Sequence, residues 1–163
     1  MSQRKKEIQF IIAEFQEKTG KVDFNMADVV EYAKSKGWPI PPPISGEERL
    51  AKEFSQAARE ETREDIKTGK PYRVYHAFKP EGKGQSVFYW FNIDDEKAPR
   101  KFMMKSARMY REQMVGEAVQ LTLDLEHWNN IHPTEEPITM PMDFRPDVLW
   151  RLKGQEQPTE EVS

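Results

Sequence analysis

Two histidines near the end of a predicted helix, His127 and His132, are the side chains best suited to binding a metal. Metal-binding histidine pairs on a helix are usually four residues apart with an acid between them, and a third ligand is required. These two are five apart, and no third ligand is visible. A histidine at the carboxyl end of a helix also interacts favourably with the helix dipole. We therefore interpret the pair as structural and predict no metal site and no cofactor.

A second candidate site for chemistry consists of Asp95, Glu96 and Lys97, with Glu81 on the turn before the preceding strand. This spacing resembles the acid, acid-x-Lys pattern of one restriction-type nuclease group, in which carboxylates hold Mg²⁺ and a lysine steadies the water. In those nucleases the acid-x-Lys unit lies within a strand, and metal-assisted cleavage needs rigid placement. Here the unit follows a strand. A Mg²⁺ nuclease is therefore only a third hypothesis, and we predict that the chain is not an enzyme.

A stripe of cations is the strongest binding signal. The charged segment 45–68 is predicted to be a helix, with Ser45 as its N-cap and Gly69 as its stop. At 100° per residue its apolar side chains lie on one side. The polar stripe on the other side consists of Arg49, Lys52, Gln56, Arg59 and Arg63. Such a stripe either lies against phosphates and base edges or is a solvated face of acid–base pairs.

Two aromatic strands, 71–78 and 86–93, follow this helix and are joined by a turn over 79–84 that carries Lys79 and Lys83. Both faces of the second strand are apolar, so another segment is expected to cover one of them. The segment 99–130 has a three-four apolar rhythm and predicts a helix about 45 Å long. It either covers the strands or pairs two subunits.

The order of elements up to residue 93 resembles the winged helix-turn-helix superfamily. Amphipathic helices are predicted over 4–18 and 26–35, with a small strand over 22–24 between them. A proline-rich connector over 39–43 leads to the third helix. The resemblance implies that the third helix enters the major groove and that the hairpin tip acts as a wing on the DNA backbone. It places groove contacts on Arg49, Lys52, Gln56 and Arg59, and phosphate contacts on Arg63, Lys79 and Lys83.

The carboxyl-terminal part changes in texture after Pro133. Alternating apolar residues predict two extended segments over 138–152, and the polar residues 154–163 are predicted to be disordered. The expected division is therefore a winged-helix-like domain over 1–97, a long helix with a β extension over 98–153, and a tail.

Composition narrows the functional hypotheses. The net charge is −3, so affinity for DNA must come from local arrangement and not from total charge. The chain lacks cysteine, a secretion signal and a membrane-length apolar run, which favours a cytoplasmic protein. We predict a mainly helical α+β, winged-helix protein that binds duplex DNA as a homodimer and acts as a transcription regulator or accessory factor. The alternative is an adaptor that grips a protein partner through the winged fold or the aromatic sheet.

Overall fold

The computed structural model describes residues 2–80 and 88–155 as a mainly helical α+β chain, which confirms that coarse part of the predicted fold class. Most of the predicted wing tip, including Glu81 and Lys83, lies outside the described residues, as does 156–163 of the predicted tail. The helices and strands are α1 (Gln3–Thr19), α2 (Met26–Ser35), α3 (Gly46–Glu60), β1 (Thr62–Glu64), β2 (Pro71–Arg73), β3 (Tyr75–Phe78), β4 (Tyr89–Asn92), α4 (Arg100–Ile131) and α5 (Arg145–Gln155).

The chain divides into two compact units, residues 1–53 and 54–163, with the boundary inside α3. The sequence-based division after residue 97 lies elsewhere. Within residues 2–80 and 88–155, no helix combines the length and the apolar content needed to cross a membrane.

The first unit is built on α1 and α2, and both helices confirm the sequence prediction. Asn25 caps α2, because its Oδ1 accepts the Asp28 backbone N–H at 2.8 Å. The core consists of Ile11, Phe15 and Val29, one apolar stripe from each helix. Residues 22–24, predicted as a small strand, form a bend and loop instead.

Helix α3 begins where predicted but ends eight residues early. The Glu48 N–H donates to Ser45 Oγ at 3.2 Å, so Ser45 is the cap that the sequence predicts. The prediction of a helix to residue 68 is wrong, since the chain enters strand β1 at Thr62. Acids collect at this end, where they oppose the helix dipole, and Thr62 is β-branched.

A side-chain turn replaces the last part of the predicted helix. Asp65 Oδ1 accepts the backbone N–H groups of Lys67 and Thr68, both at 2.9 Å. Short acidic side chains compete in this way with helical hydrogen bonds. The Thr68 N–H also lowers the pKa of the Asp65 carboxyl. Gly69, predicted as a helix stop, instead closes the β1–β2 turn with φ +65°.

The predicted strand 71–78 bends at Val74 and serves two sheets. Its first part, β2, pairs antiparallel with β1, and its second part, β3, pairs antiparallel with β4. Val74 is fully buried; its N–H donates to Glu61 O at 3.1 Å, and its carbonyl accepts the Ile93 N–H at 2.8 Å. The bend therefore ties the two ribbons together in the second unit.

Helix α4 covers one face of the β3–β4 hairpin, as the aromatic strands predict. The Phe102 ring stacks on Phe78 with centroids 4.4 Å apart and lies 5.8 Å from Phe91. Ser106, one turn further along, is buried. The amino-terminal third of this 32-residue helix therefore anchors the hairpin.

The prediction of a terminal β segment is wrong. Residues 137–144 carry no strand, and Arg145–Gln155 is helix α5. Asp143 and the proline in the first turn favour a helix start, and Asp143 Oδ1 accepts the Arg145 N–H at 3.2 Å. The preceding chain is held to α4 by Asn129, whose side-chain amide exchanges two 2.9 Å hydrogen bonds with the backbone of Ile138. This amide takes the place that a neighbouring strand would occupy.

Candidate nucleic-acid interface

Two of the predicted DNA-binding cations, Arg59 and Lys79, lie over aromatic rings of the β3–β4 hairpin. The Arg59 guanidinium carbon is 5.5 Å from the ring centroid of Trp90, and Lys79 Nζ is 5.2 Å from that of Phe88. Trp90 pairs with Ala77 in the antiparallel register. Alternation along the strands places these residues on the face opposite Phe78. We call this surface, formed by Arg59, Lys79, Phe88 and Trp90, the outer hairpin face.

A cation over a ring keeps its charge. The attraction comes from the ring quadrupole, and the ring adds no opposite charge to the side chain. Neither Arg59 nor Lys79 has a carboxylate partner among residues 2–80 and 88–155. Phe88 is 46% exposed. The outer hairpin face thus presents two positive groups next to accessible aromatic surface.

Arg63 lies in a different environment. It is on β1, not on α3, and its Nη1 is 3.0 Å from Asp94 Oδ2. The Tyr72 hydroxyl donates to the same carboxylate, at 3.0 Å from Oδ1 and 2.9 Å from Oδ2. Arg63 and Tyr72 are directly opposed in the β1–β2 register, and Asp94 follows β4. We call these three residues the Asp94 junction, because they link the two ribbons.

The Asp94 junction cancels charge. The hydrogen bond to Asp94 raises the pKa of Tyr72, with burial and the negative charge of Asp94 acting in the same direction. The Arg63 and Asp94 side chains are 49% and 38% exposed, so the ion pair is a weak contributor to stability. Its main effect is electrostatic, because the negative charge of Asp94 offsets the positive charge of Arg63.

The remaining predicted contacts divide between the units. The Gln56 amide, in the second unit, donates to the Glu60 carboxylate four residues along α3. Arg49 and Lys52 belong to the first unit; both are exposed, and neither has a side-chain partner within the described part of the chain. The structure thus brings Arg59 and Lys79 onto one surface and places Arg63 in an internal network.

The sequence did not indicate three of the residues in the networks around the arginines of β1 and β2. Tyr72 and Asp94 belong to no recognisable motif, because their contact with Arg63 depends on strand β1, which lies in a segment predicted to be helical. Tyr110, on α4, accepts a 3.0 Å hydrogen bond from Arg73 Nη1. The sequence did place Phe88 and Trp90 on an apolar strand face that needed a cover.

Two of the residues considered for metal binding, His132 and Asp95, have local structural partners. His132 Nδ1 lies 2.9 Å from Trp128 O, and its ring stacks on the Trp128 ring at 4.0 Å. Asp95 Oδ1 accepts the Lys97 backbone N–H at 2.9 Å in the turn before α4. Within the ranges that the structure describes, no group of three or more His, Asp or Glu side chains is arranged to hold a metal ion.

Comparison of the chain with protein-family models, with curated proteins and with solved structures found no match. Any functional conclusion therefore comes from the residues and their geometry.

Proposed function

We propose that this chain binds duplex DNA and that the outer hairpin face supplies phosphate contacts. The observation that carries this proposal is that Arg59 and Lys79 are held over rings on one face and meet no carboxylate among the described residues. Phosphate contacts from Lys and Arg provide most of the affinity of such interfaces. A cation held in place loses less conformational entropy on binding than one on a freely rotating side chain.

The winged helix-turn-helix arrangement is part of this proposal. It is supported by the order of three helices followed by the β3–β4 hairpin. The β1–β2 ribbon stands between α3 and that hairpin and is an addition to the expected pattern. In this arrangement Arg49, Lys52 and Gln56 on α3 remain the candidates for groove contacts.

The test is binding of a fluorescent duplex of random sequence at several salt concentrations. We expect the double variant Arg59→Glu/Lys79→Glu to bind at least tenfold more weakly at low salt. The plot of log K against log salt should become shallower, its negative slope decreasing in magnitude by about 1.8, because two phosphate contacts are lost. Circular dichroism checks that the variant keeps its helical content.

The matched control is Arg63→Glu, which makes the same charge change as either single reversal. Because Asp94 already lies against Arg63, this variant should change the salt slope by much less than Arg59→Glu does. Equal slopes for the two variants would contradict the proposal, as would unmodified protein that fails to bind the duplex at low salt. A matching single strand is measured in parallel, and tighter binding to it would also contradict the duplex assignment.

The adaptor hypothesis remains the alternative. It is favoured by the net charge of −3 and by the carboxylate that engages Arg63. It predicts no steep salt dependence on DNA and capture of a protein from a native extract.

A further inference from the structure

An open apolar groove runs along the middle of α4. It has a volume of about 1030 Å³ and lies between residues 111–123 of α4 and the returning segment 142–149. Its lining includes Met114, Val115, Ala118 and Val119. The polar pair at its edge, Asp143 and Arg145, is already joined by hydrogen bonds of 2.8 and 2.7 Å. The two other polar residues of the lining, Arg111 and Thr122, contact Glu112 at 3.7 Å and the Ala118 carbonyl at 2.8 Å, so the groove offers a mostly apolar surface.

Helix α4 has opposite charges in its two parts. Residues 100–111 contain five Lys or Arg and no acid, whereas residues 112–131 contain four Asp or Glu and no Lys or Arg. Both parts oppose the helix dipole, which favours acids at the amino end and cations at the carboxyl end. Arg108 and Glu126 are exposed and have no side-chain partner among the described residues. The helix is thus complementary in charge to a second copy of itself that runs in the opposite direction.

The spacing of these charges fits a two-fold axis at the groove. Arg108 and Glu126 are eighteen residues apart, which is five helical turns, so both project from the same side of α4. That side lies within about 40° of the centre of the groove-lining residues, at 100° per residue. Residue 117 is midway between the two charges, and Val115 and Val119 flank the same point. A two-fold interface repeats every contact twice.

We propose that two copies of this chain associate through antiparallel α4 helices, with the two-fold axis near residue 117. In this dimer Arg108 of each copy pairs with Glu126 of the other, and Val115 meets Val119 across the axis. The middle of each α4 fills the other copy's groove. A parallel pair would place the five cations of one helix against the five of the other, so charge selects the antiparallel orientation.

This self-association is independent of nucleic acid, and its test is made without DNA. Sedimentation equilibrium of the full chain should show the mass rising with concentration from 19.2 kDa to twice that value. Arg108→Glu and Glu126→Arg should each raise the dimer dissociation constant about tenfold, because each places like charges together at two symmetric positions. High salt should reduce this difference.

Mixing the two variants gives the sharpest result. In a heterodimer of Arg108→Glu with Glu126→Arg, both inter-copy pairs again join opposite charges. The mixture should therefore dimerise about as tightly as the unmodified chain, while each variant alone does not. Arg4→Glu, an exposed change in the first unit, is the matched control for altered net charge and should leave the dissociation constant unchanged.

Three outcomes would overturn the proposal. The first is a mass of 19.2 kDa at all concentrations up to about 100 µM, because interfaces of standard size have micromolar or tighter affinity. The second is a dimer that mixing does not restore, which excludes this register. The third is a monomer whose groove binds an apolar dye unless Ala118→Arg fills it, since the groove then serves a small ligand.

Discussion

The outer hairpin face and the Asp94 junction each contain an arginine, but only the arginine of the junction is paired with a carboxylate. On the outer hairpin face, Arg59 is 5.5 Å from the centroid of Trp90 and keeps its full charge. At the Asp94 junction, Arg63 is 3.0 Å from a carboxylate, and most of its long-range field is cancelled. Four residues along the chain therefore separate a cation suited to phosphate from one that holds two ribbons together. A cation stripe in a sequence does not reveal which of these states each member takes.

The difference arises from what each cation meets in the folded chain. A ring attracts a cation without adding charge, whereas a carboxylate adds an equal and opposite charge. Of the two partners, Trp90 lies within β4 and Asp94 follows that strand by two residues. The path of β4 thus decides which cations remain available for binding. Three changes test this comparison.

The largest effect is expected from Phe102→Ala, which removes the support behind the outer hairpin face. The lost ring stacks on Phe78 at 4.4 Å, and deleting a large aromatic ring from such a contact costs about 3 kcal/mol. Urea unfolding followed by circular dichroism should show this fall in the free energy of unfolding. Phe54→Ala, at a ring that is 69% exposed, is the control and should change it by less than about 0.5 kcal/mol. Equal effects would show that α4 does not hold the hairpin.

An intermediate effect is expected from Asp94→Asn, which removes the charge that faces Arg63. If the Asp94 carboxylate prevents Arg63 from contacting phosphate, this variant should bind duplex DNA more tightly, with a salt slope steeper by about 0.9. The stability should fall by less than about 1 kcal/mol, as for other exposed ion pairs. Glu96→Gln removes the same charge nearby without touching Arg63 and should leave the slope nearly unchanged. Matching slopes for the two variants would break the comparison.

The smallest effect concerns the titration of Tyr72. In the folded chain, the hydrogen bond to Asp94 raises the pKa of the Tyr72 hydroxyl above the ordinary tyrosine value of about 10. The stabilisation from this bond is therefore complete below that value and is lost as the pH rises through the raised pKa. The ultraviolet difference titration of the chain against Tyr72→Phe should show one late-ionising tyrosine. In an Asp94→Asn background the same difference should move back towards pH 10; a titration unaffected by Asp94 would remove the junction.

Periodicity and capping residues determined much of the fold. Helices α1 and α2 follow from apolar stripes bounded by Gly20 and Asn25, and α4 follows from a three-four rhythm that begins after Pro99. These signals are local, so a single sequence shows them. The sequence also identified Arg59 and Lys79 as candidate cations and the need for a cover on the β4 strand.

Local competition decided the elements that the sequence predicted wrongly. The sequence has a helical pattern up to residue 68. In the structure, however, Asp65 accepts hydrogen bonds from two backbone N–H groups and forms the turn between β1 and β2. At the other end, the alternation over 148–152 also fits a helix, and Asp143 with the following proline selects α5. In both places one short acidic side chain accepts hydrogen bonds from backbone N–H groups, and this outweighs the average propensity of the segment.

Tertiary structure alone decided the electrical state of each cation. Arg59 and Arg63 belong to one stripe in the sequence, and only the pairing of β1 with β2 and the position of β4 separate them. The ion pair joins Arg63 to Asp94, which is distant along the chain, so it leaves no periodic trace in the sequence. The charge halves of α4 are the opposite case: their order is fixed by the sequence, because a continuous helix converts it directly into position along one axis.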